Sequence, residues 1–524
     1  MIWIKRYAIP LLAAVLFAVA LACIYPLYQY YIDPDATAYL TLAHRYVEGD
    51  FAKAINGYWS PWSIWLTALM MKAGVAPFAA AIVVNAIGAI GFLIVSHSLF
   101  LLFRIGKEIQ VMFHAVMVIF LLYAVFWQSF ADLWECFFLL LVLRILLAER
   151  FLAKPLLWTV AGFIGALAYL AKAYSFPFFI LEILVCTYFL LGNRGKVKGG
   201  RWLVATVVCI GTMLVFSTPW IYLLYQKYGF LTTGTAGSLN MSWYLVGHPY
   251  RQPDILHLLP PVYPDSPSYW EDPFYVNGPT PQFWHSPKLF ALQIVRLGYN
   301  LLKFVQSIGE LSCFFAVSVI IALISVCSKQ IRKKSDNKLF TLSLSFLLFP
   351  VGYLLVNFQG RYLWYMIPLS MVITAVVLQQ TRLFYRINFR LRMLVMFIWT
   401  MSYVAFPILG LKQMYRAGEK EFRMAEALKA QGIKGTFTSN IPYGPETQNL
   451  VRLSYFADMP YYYLPLPVSK DELLEEMRKY HVQYYFHFYE KDWSSFEFTD
   501  SYGTSFQEVT DGKIPGLKVF SIDK

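Results

Sequence analysis

Two carboxylates separated by one proline follow the first apolar segment of the chain. Asp33 and Asp35 lie where the chain leaves that segment, and Pro34 stiffens the backbone between them. A carboxylate beside a cavity at membrane depth has a raised pKa and can accept a proton from a hydroxyl group. A turn followed by a helix N-cap explains the same residues equally well. The pattern makes Asp33 and Asp35 catalytic candidates without deciding which of them is the base.

A second acidic pair lies about a hundred residues later, at the start of another apolar run. Asp132 could cap a helix, but Glu135 would lie one turn inside an apolar helix, where a carboxylate is costly. Ionisable groups at membrane depth are functional candidates for that reason. We therefore expect Asp132 or Glu135 to share one outer cavity with Asp33 and Asp35.

Two cations occupy positions that the alternation of loops assigns to the outer side of a membrane. Lys172 lies between two apolar segments, and Arg361 opens another. Outer loops usually carry few Lys and Arg residues, so these two need a reason. Binding a phosphate group is one such reason. Snorkelling to lipid headgroups is the structural alternative.

A long segment at about 226–290 is rich in proline and aromatic residues and contains Trp243, His248 and Arg251. Aromatic faces with scattered polar groups suit a sugar, and they suit an interfacial aromatic belt equally well. No pair of histidines has the helical spacing of metal ligands. The sequence thus assigns no metal ligand and leaves a divalent metal ion open as a cofactor.

Two familiar catalytic signatures are missing from the sequence. It has no phosphate-cradling glycine-rich loop ending in Gly-Lys-Ser/Thr and no nucleophile elbow. These absences argue against an ATP-driven pump and against a serine hydrolase. A sugar donor used on the outer face would have to arrive already activated, because nucleotide sugars are cytoplasmic.

Membrane-spanning helices are the elements that must position these residues. Hydrophobic residues make up 58% of the 524 residues and charged residues 14%, with a mean hydropathy of +0.50. Soluble domains carry roughly 25% charged residues, and long apolar runs span a bilayer as helices. The sequence predicts a polytopic α-helical membrane protein with about eleven spans, near 9–30, 77–103, 109–131, 133–148, 155–171, 174–192, 202–225, 306–327, 339–357, 361–379 and 393–413.

The net charge of +13 is distributed unevenly along the chain. From Tyr415 onward there are 13 Lys and Arg against 16 Asp and Glu, so the positive excess lies in short loops between the spans. These loops, such as Arg104 with Lys107 and Arg150 with Lys154, fall on one side. That pattern predicts a cytoplasmic N-terminus and an extracytoplasmic tail, and it argues against nucleic-acid binding.

The chain is predicted to have two parts. Residues 1–414 form the membrane domain, with outer loops at about 31–76 and 226–290, and residues 415–524 form a small soluble α/β domain. Helical patterns at 419–431 and 470–480 and strand-like runs at 436–440, 482–488 and 517–522 support the second assignment. The segment from 31 to 60 is expected to contain an amphipathic helix lying in the membrane interface.

Four motifs, taken together in this order and on this side, resemble the GT-C superfamily of membrane glycosyltransferases. The resemblance is strongest to the branch with protein O-mannosyltransferases, the lipid A aminoarabinose transferase and related bacterial polyprenyl-phosphate-sugar transferases. It rests on Asp33-Pro34-Asp35-Ala36-Thr37-Ala38-Tyr39-Leu40 with Tyr58-Trp59-Ser60-Pro61, on Asp132-Leu133-Trp134-Glu135, on Ala171-Lys172 with Pro177, and on Arg361-Tyr362 with Pro368.

The resemblance implies transfer of a sugar from a polyprenyl-phosphate donor to a hydroxyl of a lipid, glycan or protein. The reaction would invert the anomeric carbon at the outer face of the bacterial inner membrane, with membrane lipids as further partners. Asp33 or Asp35 would be the general base, and Lys172, Arg361 and Tyr362 would bind the donor phosphate. Tyr58, Trp243, His248 and Arg251 would belong to the acceptor or sugar site.

A transporter or flippase for a glycolipid is the competing function. Such a protein needs charged groups along a path through the helix bundle. Here the ionisable residues cluster at the outer ends of the spans, and no inverted repeat is visible. An outer cavity that contains both a carboxylate and a cation would favour the enzyme.

Overall fold

The computed structural model describes residues 2–127, 130–192, 200–247, 258–277, 280–328, 337–380, 386–442, 444–489, 496–500 and 502–522. Most of these residues are helical. In chain order the helices are α1 Ile2–Tyr28, α2 Pro34–Glu48, α3 Phe51–Ala54, α4 Pro61–Lys72, α5 Pro77–Leu102, α6 Lys107–Phe126, α7 Asp132–Leu146, α8 Pro155–Ala171, α9 Ser175–Thr187, α10 Arg201–Tyr228, α11 Ala236–Val246, α12 Pro273–Asn277, α13 Pro287–Leu311, α14 Cys313–Cys327, α15 Asn337–Leu348, α16 Val351–Val356, α17 Met366–Gln380, α18 Phe389–Met414, α19 Glu419–Ala430, α20 Thr447–Ala457 and α21 Lys470–Lys479.

Proline sets the start of several of these helices. Helices α2, α4, α5, α8 and α13 each have proline in the first turn, where its missing N–H costs no hydrogen bond. Six helical segments are long and apolar enough to cross a bilayer: Tyr7–Tyr28, Pro77–Leu102, Lys107–Phe126, Arg201–Tyr228, Asn337–Val356 and Phe389–Ala430. Many of their large apolar side chains are exposed, as lipid-facing residues are.

The predicted apolar runs all coincide with helices, although several limits differ. The run at 306–327 divides at Ser312 into α13 and α14, and α13 begins about twenty residues before the predicted start. The run at 361–379 begins with a 3-10 turn, Gly360–Leu363, so Arg361 precedes the helix α17. The count of eleven spans remains a prediction, because four of the helices are shorter apolar segments.

Helix α2, predicted as an interfacial amphipathic helix, is buried over much of its length. It packs against α4, α3 and the 3-10 turn Tyr269–Glu271, and it also contacts α20. Asp33 caps its N-terminus and Gly49 closes its C-terminus in the left-handed conformation, with φ of 86°. The helix therefore holds Asp35 in its first turn at a fixed position between the bundle and the later parts of the chain.

The tail contains a three-stranded sheet in the order β1-β2-β3. Strand β1 (Phe437–Ser439) pairs parallel with β2 (Tyr484–Phe488), which pairs antiparallel with β3 (Leu517–Ser521). These strands and helices α19 and α21 match the predicted pattern. Helix α20 was not predicted.

The tail also contacts the rest of the chain directly. Tyr269 packs in the same apolar cluster as Phe437 and Phe486, and Leu259 forms a β-bridge with Tyr463. On α20, Arg452 donates from Nε to the carbonyl of Ile32 at 2.5 Å. The independence of residues 415–524 as a domain remains a prediction.

Candidate active site

A cavity of about 680 Å³ lies where α2, α11, the residues before α17 and α20 meet. Its walls combine aromatic rings, carboxamides and two charged groups, one acidic and one basic. The lining residues are Pro34, Asp35, Tyr58, Asn240, Trp243, Tyr244, Tyr269, Trp270, Asn357, Gln359, Arg361, Tyr362, Gly444, Pro445, Thr447, Gln448, Val451 and Tyr463. Four distant parts of the sequence thus form one pocket, which includes part of the tail.

The two carboxylates of the first acidic pair have different environments. Asp33 Oδ1 accepts a hydrogen bond from the backbone N–H of Ala36 at 2.8 Å, as an N-cap does. Burial, with the neighbouring charge of Asp35, raises the pKa of Asp33 to about 8. Asp35 lines the cavity, where its Oδ1 accepts from Trp270 Nε1 at 3.2 Å and its Oδ2 lies 3.4 Å from Arg361 Nη1. The capping alternative thus describes Asp33, whereas Asp35 faces the cavity.

The second acidic pair joins the first through the two predicted cations. Arg361 Nε lies 3.7 Å from Asp132 Oδ2. Lys172 Nζ pairs with Asp132 and lies 3.1 Å from Glu135 Oε2. We call Asp35, Arg361, Asp132, Lys172 and Glu135 the site network.

Lys172 lies between the second acidic pair and two aromatic rings. Its Nζ lies 4.5 Å from the ring centre of Tyr362 and 5.0 Å from that of Tyr353, two rings that stack on each other at 3.8 Å. The Tyr353 hydroxyl donates to Glu135 at 3.1 Å. Tyr362 and Arg361 line the cavity, and Lys172 lies behind Tyr362.

The predicted aromatic residues of the sugar site reach the same cavity. The Tyr58 hydroxyl donates to Asn240 Oδ1 at 3.3 Å, and Trp243 stacks nearly parallel on Trp270, with ring centres 5.9 Å apart. His248 and Arg251 lie outside the described residues. The geometry around Tyr58 and Trp243 offers flat apolar faces beside hydrogen-bonding amides, which is the combination that a sugar ring needs.

Trp270 and Arg296 were not among the predicted site residues. Arg296 Nη2 donates to Asn357 Oδ1 at 2.9 Å, and its guanidinium lies 4.0 Å from the ring centre of Tyr244. Both partners line the cavity. Among the described residues, no carboxylate lies within ion-pair distance of Arg296. A sequence signal existed, because Arg296 shares one face of α13 with two buried amides, Gln293 and Asn300.

A second group of ion pairs lies beside Trp270 and outside the cavity lining, and its Arg45–Glu271 and Lys227–Asp272 pairs are buried. Arg45, Lys53 and Lys227 pair there with Asp265, Glu271 and Asp272, and we call this group the loop clamp. It fastens residues 265–272 to α2, α3 and the end of α10. Its members were not predicted as site residues, and none of them lines the cavity.

The described residues do not support a metal centre. Across the described ranges, His, Cys, Asp and Glu side chains form no group of three or more that could hold a metal ion.

No family model and no curated protein matches the sequence. Among solved structures, it is similar to ArnT from Cupriavidus metallidurans bound to undecaprenyl phosphate, with a TM-score of 0.52 and 11% identity over 97% of each chain. The apo form of the same protein gives 0.50 and 12%, again over 97% of each chain. The chain therefore shares the fold of this protein over 97% of its length.

Proposed function

We propose that this chain is a membrane glycosyltransferase that moves a sugar from a polyprenyl-phosphate donor to a hydroxyl group of a lipid, glycan or protein. The observation that carries the proposal is the pairing of Asp35 with Arg361 on the wall of one cavity. A base and a phosphate-binding cation are the two groups that such a transfer needs at the same place.

Asp35 is the general base of the proposed reaction. The acceptor oxygen attacks the anomeric carbon and forms the new C–O bond while its proton passes to Asp35. The bond between the anomeric carbon and the phosphate oxygen breaks, and the lipid phosphate leaves with the bonding electrons. Attack opposite the leaving phosphate inverts the anomeric carbon. Asp33 supports the helix that carries Asp35, because its own oxygen caps α2.

The leaving phosphate is bound by Arg361, with Tyr362 beside it and Lys172 behind. Lys172 and Arg361 together face three carboxylates, so the site network alone does not attract an anion. Arg296 supplies a further positive charge beside the cavity, because its guanidinium donates to Asn357, which lines the cavity. The undecaprenyl phosphate bound to the structurally similar ArnT supports a polyprenyl phosphate as the lipid part of the donor.

The sugar and acceptor contact the part of the cavity wall where Tyr58 and Trp243 present their rings. The tail contributes to this wall through the start of α20. The proposal places the protein in the bacterial inner membrane, with a cytoplasmic N-terminus and the cavity and the 415–524 domain on the outer side. This orientation follows from the charges of the loops.

Two measurements test the proposal together. Purified protein in phosphatidylcholine nanodiscs should bind undecaprenyl phosphate, and Arg361→Ala should weaken that binding. A strain that lacks the gene should lose one glycosylated surface product, detected by mass analysis of its lipids and glycans. Wild-type protein should restore that product and Asp35→Asn should not. A deletion strain whose lipids and glycans are unchanged, together with no binding of undecaprenyl phosphate, would reject the proposal.

A further inference from the structure

Trp270 connects the cavity carboxylate to the loop clamp. Its indole N–H donates to Asp35 Oδ1 at 3.2 Å, while Arg361 lies 3.4 Å from the other oxygen. Both oxygens of Asp35 thus have a partner, one neutral and one charged. The carboxylate is held at two points, and its exposed fraction of 22% opens toward the cavity.

The plane of the Trp270 indole is fixed by three aromatic neighbours. Trp243 stacks on it with an angle of 17° between the planes, and Tyr58 and Trp59 approach it edge-on at 5.9 and 6.0 Å. A ring enclosed in this way cannot rotate without displacing its neighbours. The direction of its N–H is therefore set by packing.

The backbone around Trp270 is held as firmly as the ring. Trp59 Nε1 donates to the carbonyl of Trp270 at 3.1 Å, and Asn56 Nδ2 donates to the carbonyl of Glu271 at 2.7 Å. The Ser268 hydroxyl accepts from the Trp270 N–H at 3.2 Å. These bonds restrain the backbone at Trp270 and Glu271, and therefore the position from which the indole side chain extends.

The residues on the C-terminal side of Trp270 carry two buried carboxylates, and each has a dedicated cation. Arg45 contacts Glu271 with Nε–Oε1 at 2.5 Å and Nη2–Oε2 at 3.0 Å. Lys227 lies 3.1 Å from Asp272, which also accepts from the Tyr228 hydroxyl at 2.7 Å. Burying such pairs carries a desolvation penalty that apolar residues would avoid, so they are weak evidence for stability alone.

We propose that Trp270 is a positioning residue for Asp35 and that Arg45 and Lys227 act through it. The clamp fixes the 270–272 backbone, the backbone and ring neighbours fix the indole, and the indole N–H fixes the carboxylate. The proposal rests on the proposed function, in which Asp35 is the base. It assigns a role in the reaction to cations that do not line the cavity.

The kinetic test replaces the indole by a smaller aromatic ring that lacks the N–H. Trp270→Phe should lower kcat by about ten- to a hundredfold, because a misplaced catalytic group loses about that much. Its affinity for undecaprenyl phosphate should match that of the wild type, and its Tm should fall no more than that of the control variant Trp65→Phe. Trp65→Phe is the control, since Trp65 packs on Trp220 and does not line the cavity. Wild-type kcat in Trp270→Phe would overturn the proposal while leaving the proposed function standing.

A spectroscopic test does not depend on activity. The indole ¹⁵N–¹H resonance of Trp270 is identified by its disappearance in Trp270→Phe. It should shift in Asp35→Asn, which changes its acceptor, and in Arg45→Gln, which loosens the clamp. It should not shift in Glu419→Gln, which removes a carboxylate paired with Arg423 on the tail. A resonance that stays in place in both Asp35→Asn and Arg45→Gln would overturn the proposal. Absence of transfer by the wild-type protein would reject the proposed function and this role with it.

Discussion

The site network and the loop clamp both contain buried ion pairs, yet Arg361 of the site network is paired more loosely than Arg45 and Lys227 of the loop clamp. In the loop clamp, Arg45 lies 2.5 Å from Glu271 and Lys227 lies 3.1 Å from Asp272. In the site network, Arg361 lies 3.4 Å from Asp35 and 3.7 Å from Asp132. The first group has short contacts and is closed to the cavity. In the second, Lys172 is paired closely with Asp132 and Glu135, whereas Arg361 has longer contacts and lies on the cavity wall.

This difference distinguishes an ion pair that stabilises the fold from a cation that can bind a ligand. A cation with close, fully buried carboxylates gains nothing by changing partners, because any new partner would leave a buried charge unpaired. Arg361, with loose contacts on the cavity wall, can exchange part of its pairing for an incoming phosphate. The same chemical groups therefore have a structural role in one place and a binding role in the other.

The largest expected effect is on Asp35. Asp35→Asn should lower transfer by roughly 10²- to 10⁴-fold, because a general base contributes about that much. Asp33→Asn is the matched control. Asparagine caps a helix about as well as aspartate, so this variant should fold and retain most of its activity. Equal losses in the two variants would contradict the assignment of Asp35 as the base.

Breaking the loop clamp should destabilise the folded protein. Arg45→Ala leaves Glu271 buried, and we expect the free energy of unfolding to fall by about 3–5 kcal/mol. Arg361→Ala should cost less, because the contacts of Arg361 are longer and Asp132 remains paired with Lys172. Thermal unfolding in detergent measures both. The comparison fails if the two variants are destabilised equally.

Substitution of Arg361 or Lys172 should weaken binding of the donor lipid. Arg361→Ala should weaken undecaprenyl phosphate binding by roughly ten- to a hundredfold, which corresponds to one charge-assisted hydrogen bond of about 1.5–3 kcal/mol. Arg361→Lys should recover only part of that loss, since lysine lacks the planar fork of donors. Lys172→Ala should have a smaller effect, because Lys172 lies behind Tyr362. Wild-type binding by Arg361→Ala would remove it from the phosphate site.

The last expected effect is a pH dependence of stability. The pKa of Asp33 is raised from 3.8 to about 8, so the folded protein retains a proton that the unfolded chain releases. The contribution of Asp33 to stability therefore falls as pH rises from about 4 to about 8. Asp33→Asn has no such proton. The Tm of the wild type minus that of Asp33→Asn should therefore decrease as the pH rises from about 4 to about 8. A constant difference would show that the pKa is not raised.

The sequence predicted those parts of the fold that depend on local hydrophobicity. Apolar runs became helices, but the true start of α13 was missed because Gln293, Arg296 and Asn300 interrupt its apolar character. Gln293 and Asn300 donate to the carbonyls of Leu355 and Leu354, about sixty residues later in the chain. Contacts at that separation are tertiary, and no window of sequence contains them.

The candidate site, like the fold, could be predicted from the sequence only where a local pattern marks its residues. Asp35, Asp132, Lys172 and Arg361 stood out because charges are rare near apolar runs, and the structure brings them together. Their individual roles remain predictions. Trp270 stood among many aromatics in a long loop, and its importance comes from Asp35, which precedes it by 235 residues.

Helix α20 has a consequence for the biosynthesis of the protein. Its first turns line the cavity and its Arg452 bonds to Ile32, just before the carboxylates. The ribosome adds these residues more than four hundred positions after Ile32. A chain whose first helices are already inserted in the bilayer therefore has only part of its pocket. The pocket is complete only after residues 444–463 have been made and have packed against the earlier helices.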